Sequence, residues 1–211
     1  MAKRPAWTIE NDHVICEEFE FEWNGGFALV QKQKNIDALH ASIRQTHPEN
    51  GSALEVSSKG KIPLGNSIGA FSLKCGDVCL ENVFQAAKQY EEGGPFPDLL
   101  DVSPKEAKQD ERHHNSGKLI AFSRNGEKWP LEPKTLFYDY IYVCALTENF
   151  GYNLDLNRYR WFTDIEFNPK KSVNCQARSV AIYQLMQKLE AFDEIRDRKR
   201  WQSFHIRHVK G

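Results

Sequence analysis

A chain of 211 residues, 40% hydrophobic and 12% aromatic, is long enough for one well-buried core and too short for two full-size domains. Its charged fraction of 27% lies in the ordinary globular range, which sets disorder aside. The net charge of -1 excludes a generic polyanion binder, so a nucleic-acid substrate has to be met by a local basic patch.

No run approaches the ~18 consecutive apolar residues of a membrane span. Met1-Ala2-Lys3-Arg4-Pro5-Ala6-Trp7 leads into polar sequence and not into an apolar signal core. A cytoplasmic location without membrane contact is expected. The five cysteines, Cys16, Cys75, Cys79, Cys144 and Cys175, fit reduced thiols better than a disulfide framework.

From Glu18 to Trp23 the chain alternates strictly, with Phe19, Phe21 and Trp23 on one face, the pattern of a half-buried strand. Gly25-Gly26 ends it. Ile36, Leu39 and Ile43 recur at helical spacing over 31–45. Short strands are expected at 53–57 and 68–73, with a turn at Gly76-Asp77. A helix over 80–90 presents Val83, Phe84, Ala87 and Tyr90, and Gly93-Gly94-Pro95 stops it. Ser103-Pro104-Lys105-Glu106 has the serine, proline and glutamate of a capping box, predicting a helix to about position 114. A strongly apolar helix over 134–148 and a last core helix over 176–189 follow. Without βαβ alternation, the expected fold is one α+β domain, mainly helical, with a few short strands near the N-terminus. Residues 1–189 form it, and 190–211 make a charged tail. The tail reads either as a solvated helical end or as a nucleic-acid contact stacking bases on Trp201 and Phe204.

No phosphate loop, HExxH or Gly-x-Ser-x-Gly is present. Cys75 and Cys79 lack a second Cys/His pair at a suitable distance, so neither a metal nor another cofactor is expected. What remains is polar punctuation inside apolar segments. Glu81 opens a helix beside Leu80 and Val83-Phe84; its structural role there is to complement the helix dipole. Trp161-Phe162-Thr163-Asp164-Ile165-Glu166-Phe167-Asn168-Pro169-Lys170-Lys171 interleaves aromatics with Asp, Glu, Asn and Lys, as suits a rigid loop that stacks a base and positions a sugar. Asn174, Gln176 and Arg178 line the next helix start, where amides and an arginine meet a phosphate.

Leu80-Glu81-Asn82-Val83-Phe84-Gln85-Ala86-Ala87-Lys88 resembles the hallmark helix of the NADAR family, Ser/Thr-Glu-His-x-Phe-Gln-Ala-x-Lys, with Leu80 and Asn82 departing from it. Ile68-Gly69-Ala70-Phe71-Ser72, the block from Ser103 to Arg112, Trp129, and the stretch from Tyr159 to Arg178 resemble its further blocks in order. Within that family, Gln31-Lys32-Gln33-Lys34, Gly93-Gly94-Pro95-Phe96 and Phe162-Thr163-Asp164-Ile165-Glu166-Phe167 are similar to the NADAR antitoxins associated with a DarT-type DNA ADP-ribosyltransferase toxin. The resemblance implies a YbiA-like fold and hydrolysis of ADP-ribose from guanine in DNA, reversing the toxin. The implied partners are ADP-ribosylated DNA, ADP-ribose and a cognate toxin.

In that frame Glu81 stabilises the oxocarbenium-like sugar or activates water, and Lys34 or Lys32 attacks the anomeric carbon as an imine-forming amine. Trp129 or Phe71 stacks on a base, while Asp164 joins Asn168 and Asn174 at the ribose. Arg178 and Lys88 pair with the diphosphate. Two alternatives stay open: a small-molecule N-glycosidase acting on a riboflavin-pathway or other ribosylated intermediate, and a non-catalytic binder of ADP-ribose or toxin.

Overall fold

The first twenty residues build the platform on which the rest is laid. In the computed structural model, which describes residues 1–210, β1 (Ala2–Glu10) and β2 (His13–Phe21) pair antiparallel in unbroken register from Ala2↔Phe21 to Glu10↔His13. Asn11 and Asp12, both at positive φ, make the tight connection. Phe19 and Phe21 are buried as their alternation predicts. Strand β1 lacks polar alternation because both its faces are covered: Ala6 packs in the cluster with α1, and Trp7 and Ile9 pack in the cluster with α7.

Helix α1 (Leu29–Thr46) lays Ile36, Leu39 and Ile43 against this sheet. Strand β3 (Ala53–Glu55) then leads into the short α2 (Pro63–Ser67), which Pro63 starts. A Cβ on Gly65 would lie 1.9 Å from the Glu55 carbonyl oxygen, so only glycine lets α2 approach β3 this closely. The expected strand at 68–73 is replaced by turns. Its amides are consumed by bonds from Ser72 and Leu73 back to the Gly69 carbonyl, and by the Ala70 amide donating to the Gln176 side chain.

Strands β4 (Lys74–Cys75) and β5 (Val78–Cys79) form a small hairpin over the Gly76-Asp77 turn. Helix α3 (Leu80–Ala86) ends earlier than expected, and the chain continues as β6 (Lys88–Tyr90). Both bonds of the capping box at α4 (Pro104–Gln109) are present, but α4 stops at Gln109 and α5 (Arg112–Asn115) follows separately. Strand β7 (Leu119–Arg124) sits between β6 and β8 (Glu127–Trp129) in an antiparallel sheet. Asn125-Gly126, both at positive φ, joins β7 to β8, the dipeptide that favours a tight hairpin turn.

Helices α6 (Leu136–Phe150) and α7 (Gln176–Lys188) pack against each other through the largest hydrophobic cluster. Between them, β9 (Trp161–Thr163) completes the first sheet in the order β2-β1-β9-β3, antiparallel to β1 and parallel to β3. The architecture is a single α+β domain, as expected, with N-terminal strands of nine residues each.

The charged terminal segment packs onto the same core. Helix α8 (Arg198–His208), capped by the Asp197 side chain, buries Trp201, Phe204 and His205. The Trp201 indole donates to the Leu136 carbonyl, and Val209 bridges to Val14 in β2. Trp201 and Phe204 are therefore core residues, and the reading that stacks bases on them is corrected: a small aromatic anchor inside a basic helix is what lets a polar helix dock at all. No helix of the described residues is long and apolar enough to cross a membrane.

Candidate functional site

Helix α3 is buried on all sides, and that is how it sequesters polar groups. Glu81 is only 4% exposed, and its backbone amide donates to the Ala70 carbonyl. The Gln85 side chain, one turn on, donates from Nε2 to Glu81 Oε1 at 2.8 Å and accepts from Lys88 Nζ at 2.5 Å. The result is a chain of contacts, Lys88 to Gln85 to Glu81. Lys88 Nζ also lies 5.3 Å over the Phe84 ring. Burial lowers the Lys88 ammonium to about 8, partly opposed by Glu81 and reinforced by Lys108.

The turn after α2 brings Phe71, which is 48% exposed, to the edge of this group. Lys108 of α4 reaches over it: its Nζ is 5.3 Å above the Phe71 ring and 3.7 Å from Glu81 Oε1. Neither Gln85 nor Lys108 figured among the residues expected from sequence. Gln85 stands at i+4 from Glu81, a spacing that places both on one helix face and was available to find it. Lys108 comes from a separate helix and has no local signal.

A second polar group lies across the same turn. Asp164 follows β9 and accepts from Gln176 Nε2 at 3.0 Å and from the Glu166 amide at 3.0 Å. Through its other end Gln176 accepts from the Ala70 amide, so one side chain ties the Phe71 turn to Asp164. Glu55, also buried, accepts from the Ser57 hydroxyl, the Thr163 hydroxyl and the Ile165 amide. Burial, and then the nearby Glu55, push the Asp164 carboxyl up to about 7. Burial likewise raises Glu55. Lys32 of α1 reaches this region through an ion pair with Glu166 at 2.8 Å.

A raised carboxyl makes a stability prediction with a definite sign. Between its ordinary range near 4 and its folded value near 7, the folded state holds a proton that the unfolded state has lost. The stabilisation associated with that proton is complete at low pH and is lost as pH rises toward 7. Urea unfolding of the wild type and Asp164→Asn at several pH values is expected to show the wild type losing ground to the variant from pH 4 to 7. A pH-independent difference would show that Asp164 ionises normally in the fold.

Other expected site residues are placed elsewhere. Trp129 is 2% exposed and packed on Tyr140 and Phe137, with ring centroids 4.5 and 5.5 Å away. It cannot stack on a base without unpacking the core, and of the two aromatics considered only Phe71 is open. Trp161 and Phe162 are buried in β9, so the rigid aromatic loop expected there begins only after Thr163. Arg178 does not face a free phosphate. Its guanidinium is buried 3.3 Å from Asp139, which also accepts from Thr135 and Ser179 and contacts His205 Nε2. Lys34 is exposed on α1. Asn168 and Asn174, partly exposed in the loop before α7, are engaged in local turns: the Asn168 side chain accepts from the Lys170 amide, and the Asn174 carbonyl accepts from Ser172.

A shallow cleft of about 730 Å³ lies apart from these groups, lined by residues that include Asn50, Ser52, Asn153, Arg160 and Gln187. The one carboxylate in its wall, Asp155, is exposed and paired with Arg158. The group around Glu81 combines a desolvated carboxylate, a desolvated amine and a half-exposed aromatic ring. Such a set suits a ligand that carries a ring and develops positive charge.

Fold and site together define an α+β protein with a carboxylate-centred polar site on a short buried helix. The family model described as DarT1-associated NADAR antitoxin matches residues 2–210, and the chain belongs to that family. The match extends through the basic terminal helix, in agreement with its packing on the core. None of the curated proteins compared with it matches the chain.

Proposed function

We propose that the protein is a hydrolase that removes ADP-ribose from guanine in DNA and so reverses the action of a DNA ADP-ribosyltransferase toxin. Membership of the DarT1-associated antitoxins supports the biological setting. The observation that carries the chemistry is Glu81: buried, held in one rotamer by Gln85, and bordered by the exposed Phe71. A preorganised carboxylate in a dry setting stabilises the positive charge that develops on ribose as the bond to the guanine nitrogen breaks. Water adds its oxygen to the anomeric carbon, and its proton ends on the departing base.

Asp164, whose carboxyl burial pushes up to about 7, is the relay in this reading: it gives a proton to the departing base and regains one from the attacking water. Phe71 offers a stacking face for a base. The imine route has weaker support. Lys32 is held by Glu166 and Lys34 is exposed, so neither is a desolvated, uncommitted amine.

The test is the mass of a guanine-ADP-ribosylated oligonucleotide incubated with the purified protein. Loss of the ADP-ribosyl mass, with release of free ADP-ribose, is the expected result. An unchanged mass with retained binding of ADP-ribose would replace this reading by that of a non-catalytic binder. Cleavage of free ribosylated nucleotides, and not of the oligonucleotide, would replace it by a small-molecule glycosidase.

A further inference from the structure

We infer that Lys108 is the anchor for the diphosphate of the ADP-ribosyl group, a role that rests on the ADP-ribosyl reading above. The cations to weigh for that role are Arg178, Lys88 and Lys108. Arg178 is committed to the buried Asp139. Lys88 is largely desolvated and bonded to Gln85, so meeting a diphosphate would mean breaking the contact that orients Glu81. Lys108 has neither restriction. Its side chain is 57% exposed, and its contact with the buried Glu81 is long, at 3.7 Å, so its ammonium is free to move toward solvent or a bound anion.

The electrostatics require such a residue. Substrate with its anomeric carbon at Glu81 carries a dianionic linkage within a sugar's width of a buried carboxylate. That repulsion is strong where water is scarce, and it needs a positive charge between the two. Lys108 occupies the place: its ammonium spans Glu81 and the outer face of Phe71. An ammonium on a flexible stem follows a phosphate as a point charge without demanding one planar geometry. In the free protein Lys108 neutralises Glu81. With substrate bound, it turns to the diphosphate and leaves the carboxylate facing the ribose.

Titration calorimetry with free ADP-ribose tests this on wild type, Lys108→Ala and Lys108→Arg, with thermal melts to confirm folding. Lys108→Ala is expected to bind about tenfold more weakly and with a flatter salt dependence, and Lys108→Arg to recover most of the affinity. Lys199→Ala, on the terminal helix α8, is the control expected to match wild type. Unchanged affinity in Lys108→Ala overturns the assignment, as does equal weakening in Lys108→Ala and Lys108→Arg, or a wild type that does not bind ADP-ribose. Unmodified DNA of the same length provides the other arm: if its binding falls as much as that of ADP-ribose, Lys108 serves backbone phosphates and the assignment fails. A wild type that binds ADP-ribose without cleaving the oligonucleotide sinks the hydrolase reading alone and leaves this test intact.

Discussion

Glu81→Gln is expected to lower the rate of ADP-ribosyl–guanine cleavage by about a hundredfold or more while the protein remains folded. The substitution keeps the side chain's shape, and the amide oxygen can still accept from Gln85 Nε2. What disappears is the negative charge. A preorganised electrostatic contact of this kind is typically worth on the order of 3 kcal/mol of barrier, which converts to that rate factor. The cost to stability is smaller, because the isosteric amide keeps the bond from Gln85 and what the fold loses is the charge in the first turn of α3, worth up to about 2 kcal/mol. Single-turnover rates and a melting curve separate the two effects. A folded variant that retains a third or more of the wild-type rate would remove Glu81 from the chemistry.

Asp139→Ala carries the largest expected loss of stability. The carboxylate is wholly buried and joins three helices: it pairs with Arg178 and Ser179 of α7, His205 of α8, and Thr135 at the start of its own α6. Burial by itself would raise this carboxyl, but Arg178, His205 and Ser179 together hold it below the ordinary carboxylate range. Thr135 sits at positive φ, a strained place for a branched residue, and its bond to Asp139 is what holds it there. Removing Asp139 leaves a buried guanidinium without its counter-ion and α8 without its polar tether. Such a loss is worth about 3–5 kcal/mol, or a melting temperature lower by on the order of 10 °C in a chain this long. A change of a degree or two would mean that Arg178 finds another partner or water. The same geometry explains why an arginine that looks, in sequence, like a phosphate ligand is a structural residue.

The elements legible in the sequence are those whose cause is local. The capping box at Ser103, the alternation through Phe19 and Phe21, the apolar stripe of α1 and the Gly76-Asp77 turn all follow from residues within a few positions of one another. Glu81 also stood out locally, as a carboxylate in an apolar helix. The blocks shared with the NADAR antitoxins were likewise readable in order, and the family match agrees. What only the tertiary structure decided is which polar and aromatic side chains face inward. Phe71 and Trp129 are equally aromatic, but a turn pinned by Gln176 exposes the first and the packing of α6 buries the second. Strand β1 shows no alternation because the fold covers both its faces, Ala6 on the side of α1 and Trp7 and Ile9 on the side of α7. Lys108 reaches Glu81 from another helix, and Arg178 turns to Asp139 thirty-nine positions away. Periodicity records how a segment meets its own surroundings; the partner that neutralises a buried charge is chosen by the fold, because desolvation makes any charge seek the nearest opposite one, wherever the chain has placed it.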